Sequence, residues 1–119
     1  MNTCRMNKYS SYKNENVAIY TKKTSKEEDV NEPFVGKVSW MKLELEYFNV
    51  NIVEFVDSHV AGDYQQINRL IELVKQEEIK AILIWDFEEI PVEIVGRLVE
   101  ECKRRNVYLN GFLTTIEIM

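Results

Sequence analysis

The stretch AILIW, residues 81–85, decides the fold class of this chain because it is apolar at every position. Successive side chains of a strand point to opposite faces, so this strand must be covered on both sides. Such a strand belongs inside a parallel sheet with helices packed on each face. The sequence on either side of it supplies both kinds of element.

Strand-like and helix-like segments alternate along the chain. The predicted strands cover residues 17–21, 51–56, 80–85 and 107–112, with a short fifth at 114–119. The predicted helices cover residues 33–48, 64–76 and 91–105. This alternation predicts right-handed βαβ units and a three-layer α/β sandwich. We expect a mainly parallel sheet of four to five strands in the order 2-1-3-4.

Length and composition indicate one globular domain. The chain has 119 residues, of which 45% are hydrophobic, which suits a single core. Residues 1–16 are polar and without periodicity, so we expect a disordered tail followed by an α/β domain over residues 17–119. No run approaches the roughly 20 apolar residues that span a bilayer, and no signal-peptide pattern opens the chain. We therefore expect a cytoplasmic protein without membrane contact.

Charge argues against tight DNA binding by the folded body. The net charge is −5; residues 1–29 carry six basic and four acidic side chains, and the remainder carries nine and sixteen. DNA affinity depends on clustered Lys and Arg, so DNA binding is expected to be weak. Two cysteines and one histidine form no zinc signature, and no glycine-rich phosphate loop is present. We expect neither a metal nor a cofactor.

Three segments follow strands at the carboxyl edge of the predicted sheet, where such folds gather their catalytic groups. They are YTKKTS at residues 20–25, DSHVAG at 57–62 and DFEEI at 86–90. Together they resemble the catalytic motifs of the serine recombinases, the resolvase and invertase family. The resemblance runs from about residue 17 to residue 115 and implies a resolvase-like fold.

The first motif of the family is Tyr-x-Arg-x-Ser. In this chain Tyr20 matches, and Lys22 stands in the arginine position. Thr24 stands in the position of the nucleophilic serine, and Ser25 follows it. The resemblance therefore implies that Lys22, Thr24 and Ser25 occupy degenerate catalytic positions.

The other two motifs keep their acids and lose their reactive groups. Asp-x-x-x-Ser-Gly retains Asp57 and Gly62 but has alanine in the serine position. Asp-Arg-x-x-Arg retains Asp86, with Phe87 and Ile90 replacing both arginines. Positioned guanidinium groups stabilise the charge that builds on an attacked phosphodiester, and losing one such donor costs on the order of 10²–10³ in rate. The resemblance thus implies a domain that has lost strand exchange.

The family continues into a dimerisation helix and a helix-turn-helix DNA reader, whereas this sequence ends at Met119. We therefore expect a form truncated before the DNA-binding domain.

Asp57 and Asp86 could together suggest a Mg²⁺ site. Receiver domains that use such acids also need an acidic pair after the first strand, where this chain reads Thr-Lys-Lys. Capping and loop-fixing roles are expected for both acids.

The first helix carries two apolar stripes. Trp40, Leu43 and Tyr47 form the second, nearly opposite the first, which consists of Phe34, Val38, Met41, Leu45 and Phe48. A helix on a sheet buries one broad face. Either the N-terminal segment covers the second stripe, or the stripe is an exposed patch that marks a partner site. We predict that it binds protein, either another copy or a different subunit.

The leading functional hypothesis is an inactive recombinase homologue that acts as a regulatory or protein-interaction module in a mobile-element or DNA-recombination context. One alternative is an active strand-transfer or nicking enzyme that uses Thr24 or Ser25. Another is a flavodoxin-like small-molecule binder with a pocket lined by Tyr20, Asp57 and Asp86.

Overall fold

The computed structural model of the protein describes residues 7–23, 36–113 and 117–118. The strands within these residues are β1 Asn16–Lys22, β2 Asn51–Asp57, β3 Ala81–Ile84, β4 Tyr108–Gly111 and β5 Glu117–Ile118. The α-helices are α1 Lys37–Glu46, α2 Gln65–Lys75 and α3 Val92–Arg105, and shorter 3-10 helices form at Asn7–Tyr12 and Phe87–Glu89. No helix in these ranges combines the length and the apolar character that crossing a bilayer requires.

The sheet has the predicted topology. Its strand order is β2-β1-β3-β4-β5. β1 pairs in parallel with β2 on one side and with β3 on the other, and β3 pairs in parallel with β4. β5 pairs antiparallel with β4. The expected parallel order 2-1-3-4 is therefore confirmed, and β1 lies inside the sheet.

Alternating side chains of the strands build two separate cores. Ala18 and Tyr20 of β1 and Ile82 of β3 face α2 and α3 in one core. Val17 and Ile19 face α1 in the other core. β1 and β3 are buried along both faces because they are covered from both sides. This two-sided burial is the structural counterpart of the apolar stretch in β3.

The segment before β1 belongs to the folded unit. The Tyr9 side chain is fully buried, and its hydroxyl donates a hydrogen bond to the Ile82 carbonyl at 2.7 Å. Its ring meets Tyr108 edge to face, with ring centroids 5.1 Å apart, and Tyr12 stacks on the same ring. The expectation of a disordered tail is therefore wrong for residues 7–16. α1 lies mainly over β1 and β2, so these tyrosines cover the apolar surface of β3 and β4 on that face.

The first helix begins later than predicted. α1 starts at Lys37, after an extended Gly36, and residues 33–35 lie outside the described part of the chain. Its inner stripe is buried as expected, at Val38, Met41 and Leu45. These side chains form the contact between α1 and the sheet.

The turn after α2 contains a strained residue. Glu77 has a φ of 61°, in the left-handed region that favours glycine. Its N–H donates to Val74 O at 3.0 Å, and the next N–H, of Glu78, donates to Leu73 O at 3.0 Å. These bonds end the helix in the manner usually supplied by a glycine. The Glu77 side chain also pairs with Arg105 at 3.3 Å on the surface.

We predict that Glu77→Gly raises the free energy of unfolding by about 0.5–1 kcal/mol, because glycine removes the left-handed strain. The lost surface ion pair offsets little of this gain. Gln76→Gly is the matched control, since Gln76 has a φ of −83° and gains nothing from glycine. Urea unfolding measures both variants. Equal losses of stability in the two would show that the backbone at Glu77 is unstrained.

Candidate functional site

A cleft of about 240 Å³ opens at the carboxyl edge of the sheet, lined by Lys22, Lys23, His59 and Glu89. It lies where the chain order reverses, with β2 on one side of β1 and β3 on the other. Ligands of open α/β sheets bind at such switch points. A larger polar cavity of about 340 Å³, which includes Asn14–Asn16 and Lys80 in its lining, lies at the opposite, amino edge. The position of the carboxyl-edge cleft makes it the candidate site.

Asp57 joins three elements beneath this edge. Its Oδ2 accepts a hydrogen bond from the Tyr20 hydroxyl at 2.8 Å and another from the Ile67 N–H at 3.2 Å. Its Oδ1 accepts from the Gln66 N–H at 2.7 Å. The carboxylate thus satisfies two N–H groups in the first turn of α2 from the end of β2. The expected capping role of Asp57 is confirmed.

Tyr20 is held in its neutral form. Burial raises the pKa of its phenol well above the usual range, and the hydrogen bond donated to Asp57 raises it further. Tyr20 is fully buried and Asp57 nearly so. The pair therefore acts as a fixed structural link between β1 and β2, and neither side chain faces the cleft.

Lys22 is bound by the backbone of the loop that follows β2. Its Nζ donates to the carbonyl oxygens of Ser58 at 2.6 Å, Val60 at 2.8 Å and Asp63 at 3.0 Å. The side chain is only 8% exposed. An ammonium group has three hydrogens to donate, so all three are used within the protein. The ammonium group in the position of the family's arginine is therefore fully bonded to the loop.

Loop 58–63 is also held from within. Asp63 Oδ2 accepts from the Ser58 N–H at 3.1 Å and from the Ser58 hydroxyl at 2.6 Å. These bonds, the one from the hydroxyl first, lower the pKa of the Asp63 carboxyl. Gly62 has a φ of 86°, a conformation that other residues rarely adopt. The glycine of the second motif is thus retained for a backbone reason.

Glu89 closes the end of β1 from the other side. Its Oε1 accepts from the Thr21 hydroxyl at 3.0 Å and from the Lys22 N–H at 3.2 Å. Its Oε2 pairs with Lys37 Nζ at 2.7 Å, and the same ammonium donates to Lys22 O at 3.1 Å. Both main-chain groups of Lys22 are therefore held by one acid–base pair. The Glu89 carboxylate is thus neutralised by Lys37 and fixed to the end of β1.

The sequence contained a weak signal for Glu89. The residue lies in the third motif segment, where the resemblance assigned no role, and its basic partner Lys37 is 52 residues away. Charged side chains of this kind are almost never fully buried unless they are paired. The only sequence sign of a buried pair was that the two acids Glu88 and Glu89 lie between the apolar residues Phe87 and Ile90.

The two apolar residues of the third motif segment belong to the core. Asp86 Oδ1 accepts a hydrogen bond from the Glu88 N–H at 3.0 Å and so caps the short 3-10 helix. Its expected capping role is confirmed. Phe87 and Ile90 are buried in the core beneath α2 and α3. The two positions matching the family's arginines therefore contribute packing instead of charge.

The predicted catalytic positions are only partly brought together. Lys22 lines the cleft, and Asp86 lies in the loop after the neighbouring strand β3. Thr24 and Ser25 lie outside the described residues. Across residues 7–23, 36–113 and 117–118, no group of three His, Cys, Asp or Glu side chains is arranged to hold a metal ion.

The outer face of α1 is exposed. Trp40 is 53% exposed, Leu43 61% and Tyr47 83%. The described N-terminal residues pack on the sheet beside α1 and do not cover this stripe. Beside it, Lys42 pairs with Glu54 of β2 at 2.8 Å.

We predict that Asp57→Ala lowers the free energy of unfolding by about 2–3 kcal/mol, because it leaves buried donors of Tyr20 and α2 unsatisfied. Asp86→Ala is the matched control. It removes one capping bond from a 3-10 helix of three residues, Phe87–Glu89, and should lower the stability by at most about 1 kcal/mol. Urea unfolding followed by circular dichroism compares them. Equal losses would mean that Asp57 is no more than a surface cap.

No protein-family model and no curated protein matches the chain, but solved structures do. A resolvase family site-specific recombinase from Streptococcus pneumoniae superposes with a TM-score of 0.66 at 20% identity, covering 87% of this chain and 75% of that one. The C-terminal catalytic domain of ISC1926 TnpA, an IS607-like serine recombinase, superposes with a TM-score of 0.63 at 15% identity. That match covers 83% of this chain and 68% of that one. At these identities the likeness establishes the architecture: the chain has a serine recombinase-like fold.

Proposed function

We propose that this chain is a serine recombinase homologue that does not exchange DNA strands and works as a regulatory or protein-interaction module in DNA recombination, within a mobile element. The observation that carries the proposal is the environment of Lys22. Its three ammonium donors are all bound by backbone carbonyls of loop 58–63. The side chain in the position of a catalytic arginine serves the fold instead of a substrate.

The chemistry of phosphodiester cleavage supports the same proposal. Attack on the phosphorus builds negative charge on the equatorial oxygens, and an active site stabilises that charge with donors already aimed at it. Here Phe87 and Ile90 are buried among apolar side chains, so neither position supplies such a donor. A hydroxyl such as that of Thr24 also needs activation before it can attack.

The small-molecule alternative receives no support from the geometry. Its proposed pocket included Tyr20 and Asp57, and both are buried and bonded to each other. Neither contributes to the lining of the carboxyl-edge cleft.

The outer stripe of α1 supports a protein partner. Three large apolar side chains, Trp40, Leu43 and Tyr47, are each more than half exposed on one helix face. Aromatic residues of this kind are enriched among the side chains that dominate interface energies. We propose that this stripe binds another copy of the chain or a different subunit.

We predict that the protein forms no covalent adduct with DNA. The test is incubation with supercoiled and nicked half-site DNA, followed by a denaturing gel. An active serine recombinase serves as the positive control and shows that the substrate is competent. An adduct that disappears in Thr24→Ala or Ser25→Ala would overturn the proposal and establish the strand-transfer alternative.

We also predict that the double variant Trp40→Ala, Tyr47→Ala loses association while keeping its fold. Both side chains are exposed in the monomer, so their truncation should leave the melting temperature of the dilute protein unchanged. Truncating an interface anchor costs about 2 kcal/mol or more of binding, which sedimentation velocity detects as dissociation. Exposed Val92→Ala on α3, which is 83% exposed, is the control. Unfolding of the double variant, with a wild type that is monomeric at every concentration, would contradict the assignment.

A further inference from the structure

We propose that loop 58–63 forms an ammonium-binding cage, that the Lys22 side chain is its resident ligand, and that Lys22 is therefore the positioning residue for this loop. The inference is independent of whether the chain acts on DNA. It concerns a binding site made of main-chain oxygens, whereas the three motifs specify side chains.

The cage is built from carbonyl groups that converge on one point. The oxygens of Ser58, Val60 and Asp63 lie 2.6, 2.8 and 3.0 Å from Lys22 Nζ. These distances lie within or just below the usual range of N–H···O hydrogen bonds. Three carbonyls from a stretch of six residues can all face one atom only if the loop wraps around it. The cation and the loop conformation therefore depend on each other.

An aromatic ring completes the cage. Lys22 Nζ lies 4.8 Å from the centroid of the Tyr64 ring, within the range of a cation–π contact. The Asp63 carboxylate bonds with Ser58 instead. The charge of a nearly buried ammonium is thus balanced by carbonyl dipoles, by an aromatic face and by attraction to the nearby Asp63 carboxylate. Without these partners its desolvation would be strongly unfavourable.

The geometry suits an ammonium and not a guanidinium. An ammonium is compact and directs its donors tetrahedrally, whereas the guanidinium of arginine is a flat fork that matches two acceptors in one plane. Three carbonyls around one point fit only the first shape. Lys22 therefore has a different role from the arginine found at this motif position in the family.

Chemical rescue tests the cage directly. Lys22→Ala removes three carbons and the ammonium, a fragment with the size and charge of n-propylammonium. We expect the melting temperature of Lys22→Ala to fall. A ligand that binds only the native state stabilises it by mass action, so n-propylammonium chloride should recover at least about half of the loss. Sodium chloride and 1-propanol at the same concentration should recover none of it.

Lys42→Ala is the matched control, since Lys42 bonds with Glu54 on the surface and leaves no enclosed hole. n-Propylammonium should not raise its melting temperature. Hydrogen exchange of the Asp63 amide, which bonds with Val60 O at 3.1 Å, localises the effect to the loop. This amide should exchange faster in Lys22→Ala and slow again with n-propylammonium. Equal gains in both variants, or no gain in Lys22→Ala, would overturn the proposal.

Two further variants decide the question if Lys22→Ala does not fold. Lys22→Met keeps the aliphatic stem without the charge, and Lys22→Arg keeps the charge with the wrong shape. Both should lose protection of the Asp63 amide relative to the wild type. Wild-type protection in either variant would show that the loop does not need an ammonium at its centre.

Discussion

The carboxyl edge of this fold depends on one buried carboxylate. Asp57 ends β2, accepts the Tyr20 hydroxyl from β1 and accepts two N–H groups from the start of α2. A buried charge persists only when its hydrogen-bonding capacity is filled, so these partners are fixed relative to one another. Loop 58–63 leaves from this fixed point, and the position of its carbonyl groups around Lys22 follows from it.

Two charged side chains at this edge, Lys22 and Glu89, bond within the protein. Lys22 is bound by loop carbonyls, and Glu89 is bound by Lys37 and by the end of β1. An active site at the same edge needs charged side chains that can bind the substrate. Donors already bonded within the protein cannot stabilise the negative charge that develops in the reaction. The scaffold and the chemistry rest on different side chains. One can therefore persist without the other, as is general for widely used folds.

The N-terminal segment and α1 show how local pattern and tertiary packing differ. Residues 7–12 have no periodicity, yet the fold leaves an apolar surface on β3 and β4 that their tyrosines cover. The outer stripe of α1 has helical periodicity and a strongly apolar composition, yet it is exposed. Burial is decided by which surfaces of the sheet are left uncovered, and a single segment contains no information about its neighbours.

The place of β3 inside a parallel sheet could be predicted from the sequence because two-sided burial imposes an apolar residue at every position, as in residues 81–84. The capping role of Asp86 was also predictable, since a carboxylate directly after a strand lies beside the N–H groups of the next turn. Asp57 reaches the start of α2 across loop 58–63, because the end of β2 lies beside that helix in the fold. The partners of Lys22 and the Glu89–Lys37 pair were not predictable. Lys22 bonds with main-chain oxygens 36 to 41 residues away, and every residue type supplies such oxygens. Only the folded chain determines which of them converge on one ammonium.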